Sequence, residues 1–110
     1  MELTKEYYTY IIKCSDETFY IGYAQNLERR MLMHNNKKGA KYTRGRTPIE
    51  LLYFEKFDNK GNALSQEYSL KKLTRQQKEN YIIKNLDSDK KKKISVINKK
   101  LNSNKEEKEN

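Results

Sequence analysis

Aromatic and β-branched residues open the chain in two short runs, over residues 7–13 and 19–23, separated by the polar Ser15, Asp16 and Glu17. Such runs favour pleated, half-buried backbone, and the polar break predicts a hairpin turn. Two antiparallel strands joined there bring Tyr10 and Tyr20 close together on one sheet. The period then changes. Asn26 is a favoured N-cap type, and Leu27, Arg30, Met31 and His34 recur at i, i+3, i+4 and i+7. This predicts a helix over 27–35 whose face, part apolar and part ionic, suits the border of a cleft. Residues 37–46 read as a basic loop with glycines at 39 and 45, closed by Thr47-Pro48 because a residue before proline avoids helix. A third strand is expected over 50–57, a turn over 58–61, and helices over about 62–73 and 75–85. Leu64, Glu67 and Lys71 fall on one side of the first of these helices.

Beyond Leu86 the pattern fades. Residues 87–110 contain no aromatic residue and are rich in Lys, Asn, Glu and Ser, which predicts a solvated tail, flexible or weakly helical around 94–97. The run from Lys90 to Lys93 can touch phosphates or simply keep the tail soluble. The expected organisation is one α+β domain over residues 1–86 and a lysine-rich polar tail over 87–110.

Composition narrows the class. A length of 110 residues with 35% hydrophobic and 35% charged residues supports one domain with one small core. No run approaches the roughly 18 apolar residues of a membrane span. No signal peptide is readable, and an intracellular, cytoplasmic protein is expected. The single cysteine, Cys14, excludes an intramolecular disulfide and any cysteine-rich zinc site. The net charge of +9 is not confined to the tail, so the domain itself is expected to attract polyanions through counterion release.

Several side chains suit phosphodiester chemistry, and each also has an ordinary structural reading. Glu67 is either a lone oxygen ligand for a hydrated divalent cation or an i,i+4 partner for Lys71. The permanently charged fork of Arg30 matches two phosphate oxygens. Tyr10 and Tyr20 can activate water if nearby cations lower a phenol pKa that is ordinarily near 10; otherwise they are sheet aromatics. His34, the only histidine, either orients a phosphate or water or serves structure, and no second His or Cys stands at ligand spacing. Gly22 offers a backbone without Cβ, for a turn or a close approach. Lys37, Lys41, Arg44 and Arg46 are the expected DNA-backbone contacts, with Tyr42 among them able to stack on a base.

Taken in order, Tyr8-Thr9-Tyr10, Tyr20-Ile21-Gly22, Arg30, His34 and Glu67 resemble the GIY-YIG nuclease family over about residues 6–82. The run from Gly39 to Pro48 is similar to its small stand-alone bacterial branch, the YhbQ-like proteins. The resemblance implies an α/β sandwich with a three-stranded antiparallel sheet flanked by helices. It also implies a Mg²⁺- or Mn²⁺-dependent DNA endonuclease, acting in DNA repair or processing, with Tyr10, Tyr20, Arg30, His34 and Glu67 as its catalytic set and Glu67 as metal ligand. Two departures stand out: Tyr8-Thr9 replaces the first Gly-Ile, and Glu79, followed by Asn80, stands where many members have asparagine. No separate sequence-reading domain is visible, so branched or single-stranded DNA is expected rather than a defined sequence. Neither a membrane nor a small-molecule cofactor is expected. The alternative is a non-catalytic or weakly catalytic nucleic-acid-binding module on the same scaffold.

Overall fold

The computed structural model describes the backbone of residues 5–109 and side chains as far as Ser103; residues 1–4 and 110 lie outside the described residues. The N-terminal runs form strands β1 (Tyr7–Lys13) and β2 (Phe19–Ala24). Their turn is closed by Cys14 N–H donating to Thr18 C=O at 2.8 Å and by the Asp16 carboxylate accepting from the Thr18 hydroxyl at 2.6 Å. Strand β3 (Glu50–Phe57) pairs with the other edge of β1, giving an antiparallel sheet in the order β2-β1-β3. The β1–β2 register sets Tyr10 opposite Gly22 and Ile12 opposite Tyr20. Tyr10 and Tyr20 are therefore diagonal neighbours on one face of the sheet.

Alternation along β1 divides the core. Tyr8, Tyr10 and Ile12 face one layer, with Leu27 and Met31 of α1 (Leu27–Asn35). Ile11 faces the other, with Ile21, Tyr53 and Leu70. That second layer is covered by α3 (Lys60–Lys71) and α4 (Arg75–Asn85), and Thr9 ties β1 to α3 by donating to Ala63 C=O at 2.6 Å. Asn side chains cap two helices as the sequence predicts for this type: Asn26 accepts from Arg29 N–H at 3.0 Å and Asn59 from Asn62 N–H at 2.8 Å. The Asn59 cap lets α3 begin at Lys60, slightly earlier than the glycine at 61 suggests. Inside the basic loop, residues Lys41–Arg44 form a short helix, α2.

The expectation of a separate tail is corrected. Residues Ser88–Glu109 form one helix, α5, whose Ile97 and Leu101 are each only 2% exposed and join the α1 side of the core. Asn98 donates to Leu51 C=O at 3.0 Å and accepts from Leu51 N–H at 2.9 Å, occupying backbone groups of the edge strand β3. Lys100 pairs with Glu28 of α1 at 2.9 Å. The physical reason is a stripe of Ile94, Ile97 and Leu101 at helical spacing, thin enough for the surrounding lysines to dominate composition. Among the described residues, no helix is long and apolar enough to cross a membrane.

Candidate active site

The β1–β2 register places Gly22 directly beneath the Tyr10 ring. A Cβ at Gly22 would lie 2.4 Å from Tyr10 Oη and 2.6 Å from its Cζ, so glycine is needed for the phenol itself and not for a turn. Strand β2 continues to Ala24, beyond the end expected at 23. Tyr10 is fully buried, and its Oη lies 2.7 Å from His34 Nε2 and 3.4 Å from Arg30 Nε. Both partners come from α1, one turn apart, as the predicted helical face requires. Arg30 spends Nε on Tyr10, which leaves the two Nη groups of its fork for another partner.

His34 is fully buried rather than bordering solvent. Its ring stands edge-on to both tyrosines, with centroids 5.7 Å from Tyr10 and 5.6 Å from Tyr20. Nδ1 lies 2.8 Å from Thr43 Oγ1 on α2, and Gly39 fits against the same edge, where a Cβ would come within 2.3 Å of Nδ1. Burial first, and the Arg30 charge second, push the His34 pKa down to about 4. The imidazole is thus neutral near pH 7. Because the folded pKa lies below the ordinary 6.5, folding stability is full above about pH 6.5 and is lost as pH falls toward 4. Urea denaturation should show a loss of about 2 kcal/mol between pH 7.5 and 5. With one histidine in the chain, His34→Gln should flatten that slope.

Tyr10 departs from the expectation of a phenol activated by cations. Its pKa is pushed up to about 12, chiefly by burial. Arg30 opposes this, whereas Tyr20 and the Glu67 carboxylate add to it. Glu67 is 17% exposed and pairs through Oε2 with Lys71 Nζ at 2.9 Å, so the i,i+4 partnership forms.

Tyr20 is half-buried and lines an open cleft of about 280 Å³ together with Phe19, Ile21, Tyr42, Lys71 and Lys78. Tyr42 stacks on Tyr20 with centroids 5.9 Å apart and planes 18° from parallel. The Arg46 guanidinium lies 4.0 Å over the Tyr42 ring, donates to Tyr42 C=O at 2.7 Å, and pairs with Asp16 of the hairpin turn at 2.9 Å. Arg46 and Tyr42 therefore brace Tyr20. Lys37, Lys41 and Arg44 are exposed.

The structure adds residues that sequence reading passed over. Thr43 is fully buried, Gly39 and Asp16 hold site geometry, and Lys71 and Lys78 supply cationic walls. A lone buried threonine carries no signal in the sequence. Asp16 looked like turn chemistry only. At the place of the missing asparagine, Glu79 accepts from Arg75 at 3.1 Å and Asn80 from Gln76 at 3.2 Å, whereas the neighbouring Lys78 reaches the cleft.

Residues 6–81 match the family described as the GIY-YIG catalytic domain. The chain is 61% identical over 71 residues to the UPF0213 protein CPE1444 of Clostridium perfringens, covering 64% of this chain and 76% of that one. It is 46% identical over 80 residues to the UPF0213 protein NP_0776A of Natronomonas pharaonis, covering 73% and 94%. Relatives thus extend to archaea, beyond the bacterial branch expected from the sequence. The solution NMR structure of the protein EF2693 from E. faecalis is similar at 43% identity and a TM-score of 0.53, covering 76% of this chain and 90% of that one.

Proposed function

The chain belongs to the GIY-YIG family, and from that premise we propose that it is a divalent-metal-dependent endonuclease hydrolysing DNA phosphodiester bonds. The observation that carries this reading is the buried Tyr10 hydroxyl held between His34 and Arg30, on the same sheet face as Tyr20, which lines a cleft open to solvent. Arg30 presents its fork to a phosphate, where a permanently charged bidentate donor stabilises the negative charge that builds in the transition state. Tyr20, the phenol that lines the cleft, takes the proton from the attacking water. Tyr10 stays protonated and holds Arg30 in place.

Glu67 is the residue that would hold a metal. The donor set fits a hard, well-hydrated ion: among the described residues no three His, Cys, Asp or Glu side chains cluster, and a single half-buried carboxylate suffices for Mg²⁺ or Mn²⁺ when the substrate phosphate shares the site. Such an ion would supply Lewis-acid neutralisation of the transition state and assistance to the leaving oxygen. Zinc, which asks for several nitrogen or sulfur ligands, does not suit these residues.

Substrate selection follows from the cleft. Its lining is part aromatic and part cationic, and the exposed Lys37, Lys41 and Arg44 stand on the neighbouring segment. Branched or single-stranded DNA, in repair or processing, is the proposed substrate. One observation favours a second reading, a nucleic-acid-binding module without turnover: the Lys71 ammonium already neutralises Glu67. The deciding experiment is a cleavage panel of single-stranded, duplex, flapped and branched DNA with Mg²⁺, Mn²⁺ or EDTA. Nicking of branched or single-stranded substrates with metal, and none in EDTA, is expected. Binding without nicking in every metal arm would overturn the nuclease reading and favour the second.

A further inference from the structure

The hydrogen-bond directions around His34 follow from the groups at its two ends. The buried Tyr10 hydroxyl faces a donor in Arg30 Nε–H, so its own proton takes His34 Nε2 as acceptor. A neutral ring accepting at Nε2 carries its proton on Nδ1, which donates to Thr43 Oγ1 at 2.8 Å, and the Thr43 hydroxyl in turn donates to Ala40 C=O at 2.9 Å. With the ring neutral, Nε2 is an acceptor, and the Tyr10 hydroxyl at 2.7 Å donates to it. Tyr10 Oη is left accepting from Arg30 Nε–H. The chain of donors runs from Arg30 through Tyr10, His34 and Thr43 to the Ala40 carbonyl, and each member is satisfied.

From this directed chain we infer that Thr43 is a positioning residue: by anchoring Nδ1–H it fixes the His34 tautomer, and thereby aims the Tyr10 hydroxyl away from Arg30. The threonine sits on α2, outside every element that carries the reacting groups, and its hydroxyl reaches the site through His34. Gly39 completes the device, because any Cβ there would occupy the space of Nδ1. Without Thr43 the Nδ1 proton would lose its buried acceptor, and the Nε2–H form would gain population. Nε2–H would then donate to Tyr10, the Tyr10 proton would turn elsewhere, and its oxygen would be shared between His34 and Arg30. A buried donor without a partner costs on the order of 1–3 kcal/mol, which is the bias toward Nδ1–H that the Thr43 hydroxyl supplies.

The catalytic consequence rests on the nuclease reading, but the tautomer does not. Because the chain has one histidine, a long-range ¹H–¹⁵N correlation spectrum at pH 7.5 reports His34 alone. The Nδ1–H form is expected in the unsubstituted protein and in Thr43→Ser. Thr43→Val, which keeps the shape and removes the hydroxyl, should raise the Nε2–H population. In cleavage assays Thr43→Val should lose about tenfold or more in kcat with KM within about twofold, and Thr43→Ser should retain most of the activity. An Nε2–H tautomer in the unsubstituted protein would overturn the inference. So would a folded Thr43→Val variant with unchanged tautomer and kcat. If no DNA is cleaved by any form, the nuclease reading fails while the spectra still decide the role of Thr43.

Discussion

Replacing Glu67 by glutamine is expected to lower DNA cleavage by about a thousandfold or more while leaving DNA binding nearly unchanged. The change keeps the size of the side chain and removes its charge, so it tests the carboxylate and not the helix. If Glu67 holds the divalent ion, several kcal/mol of transition-state stabilisation go with it, and each 1.36 kcal/mol is about tenfold in rate. Stability should barely move, because an i,i+4 pair such as Glu67–Lys71 contributes only about 0.3–0.5 kcal/mol. Lys71 is released beside the cleft, which favours phosphate binding. Affinity for single-stranded DNA should therefore stay level or rise, read by fluorescence anisotropy at fixed salt. A variant that cleaves at the original rate would remove Glu67 from the site.

The strands and α1 were legible because each rests on a local rule. Alternation at 7–13 and 19–23 sets which tyrosines share a face, and Asn26 starts a helix whose i, i+3, i+4 and i+7 positions are those found against the sheet. What stayed hidden depends on residues far apart in sequence. Burial of Tyr10 is decided by how α1 closes over β1, and burial, which the sequence does not display, outweighs the nearby Arg30 in setting its pKa. Arg46 looked like a phosphate contact because charge is visible in a sequence and partners are not. The hairpin turn brings Asp16 to it, helped by Ser15 N–H donating to Arg46 C=O at 2.8 Å. The loop over 37–46 was read as a surface for DNA, yet its adjacent residues Tyr42 and Thr43 reach the two site tyrosines separately, one by stacking on Tyr20 and one through His34 to Tyr10.

Gly22→Ala is the change expected to do most damage for a single added carbon. At 2.4 Å from Oη and 2.6 Å from Cζ, the new methyl would meet the end of a rigid ring that is 0% exposed, between the sheet and α1. Neither side can give easily, since densely packed interiors resist added volume. Overpacking of this kind costs about 1–3 kcal/mol, to be read as a lower urea midpoint. The ring must tilt, and its hydroxyl leaves both His34 and Arg30. Misplacement of a positioning group by about 1 Å can cost on the order of a hundredfold, so single-turnover cleavage should fall at least that far. A glycine kept merely for close approach of substrate would behave differently. The alanine would then raise KM, with the urea midpoint and the His34 ring signals unchanged. Tyr10→Phe placed in the Gly22→Ala background should recover part of the lost stability by removing the closest atom, without recovering cleavage. That pairing separates the steric cause from the chemical one, and full recovery of activity by the double variant would show that the Tyr10 hydroxyl plays no part in holding Arg30.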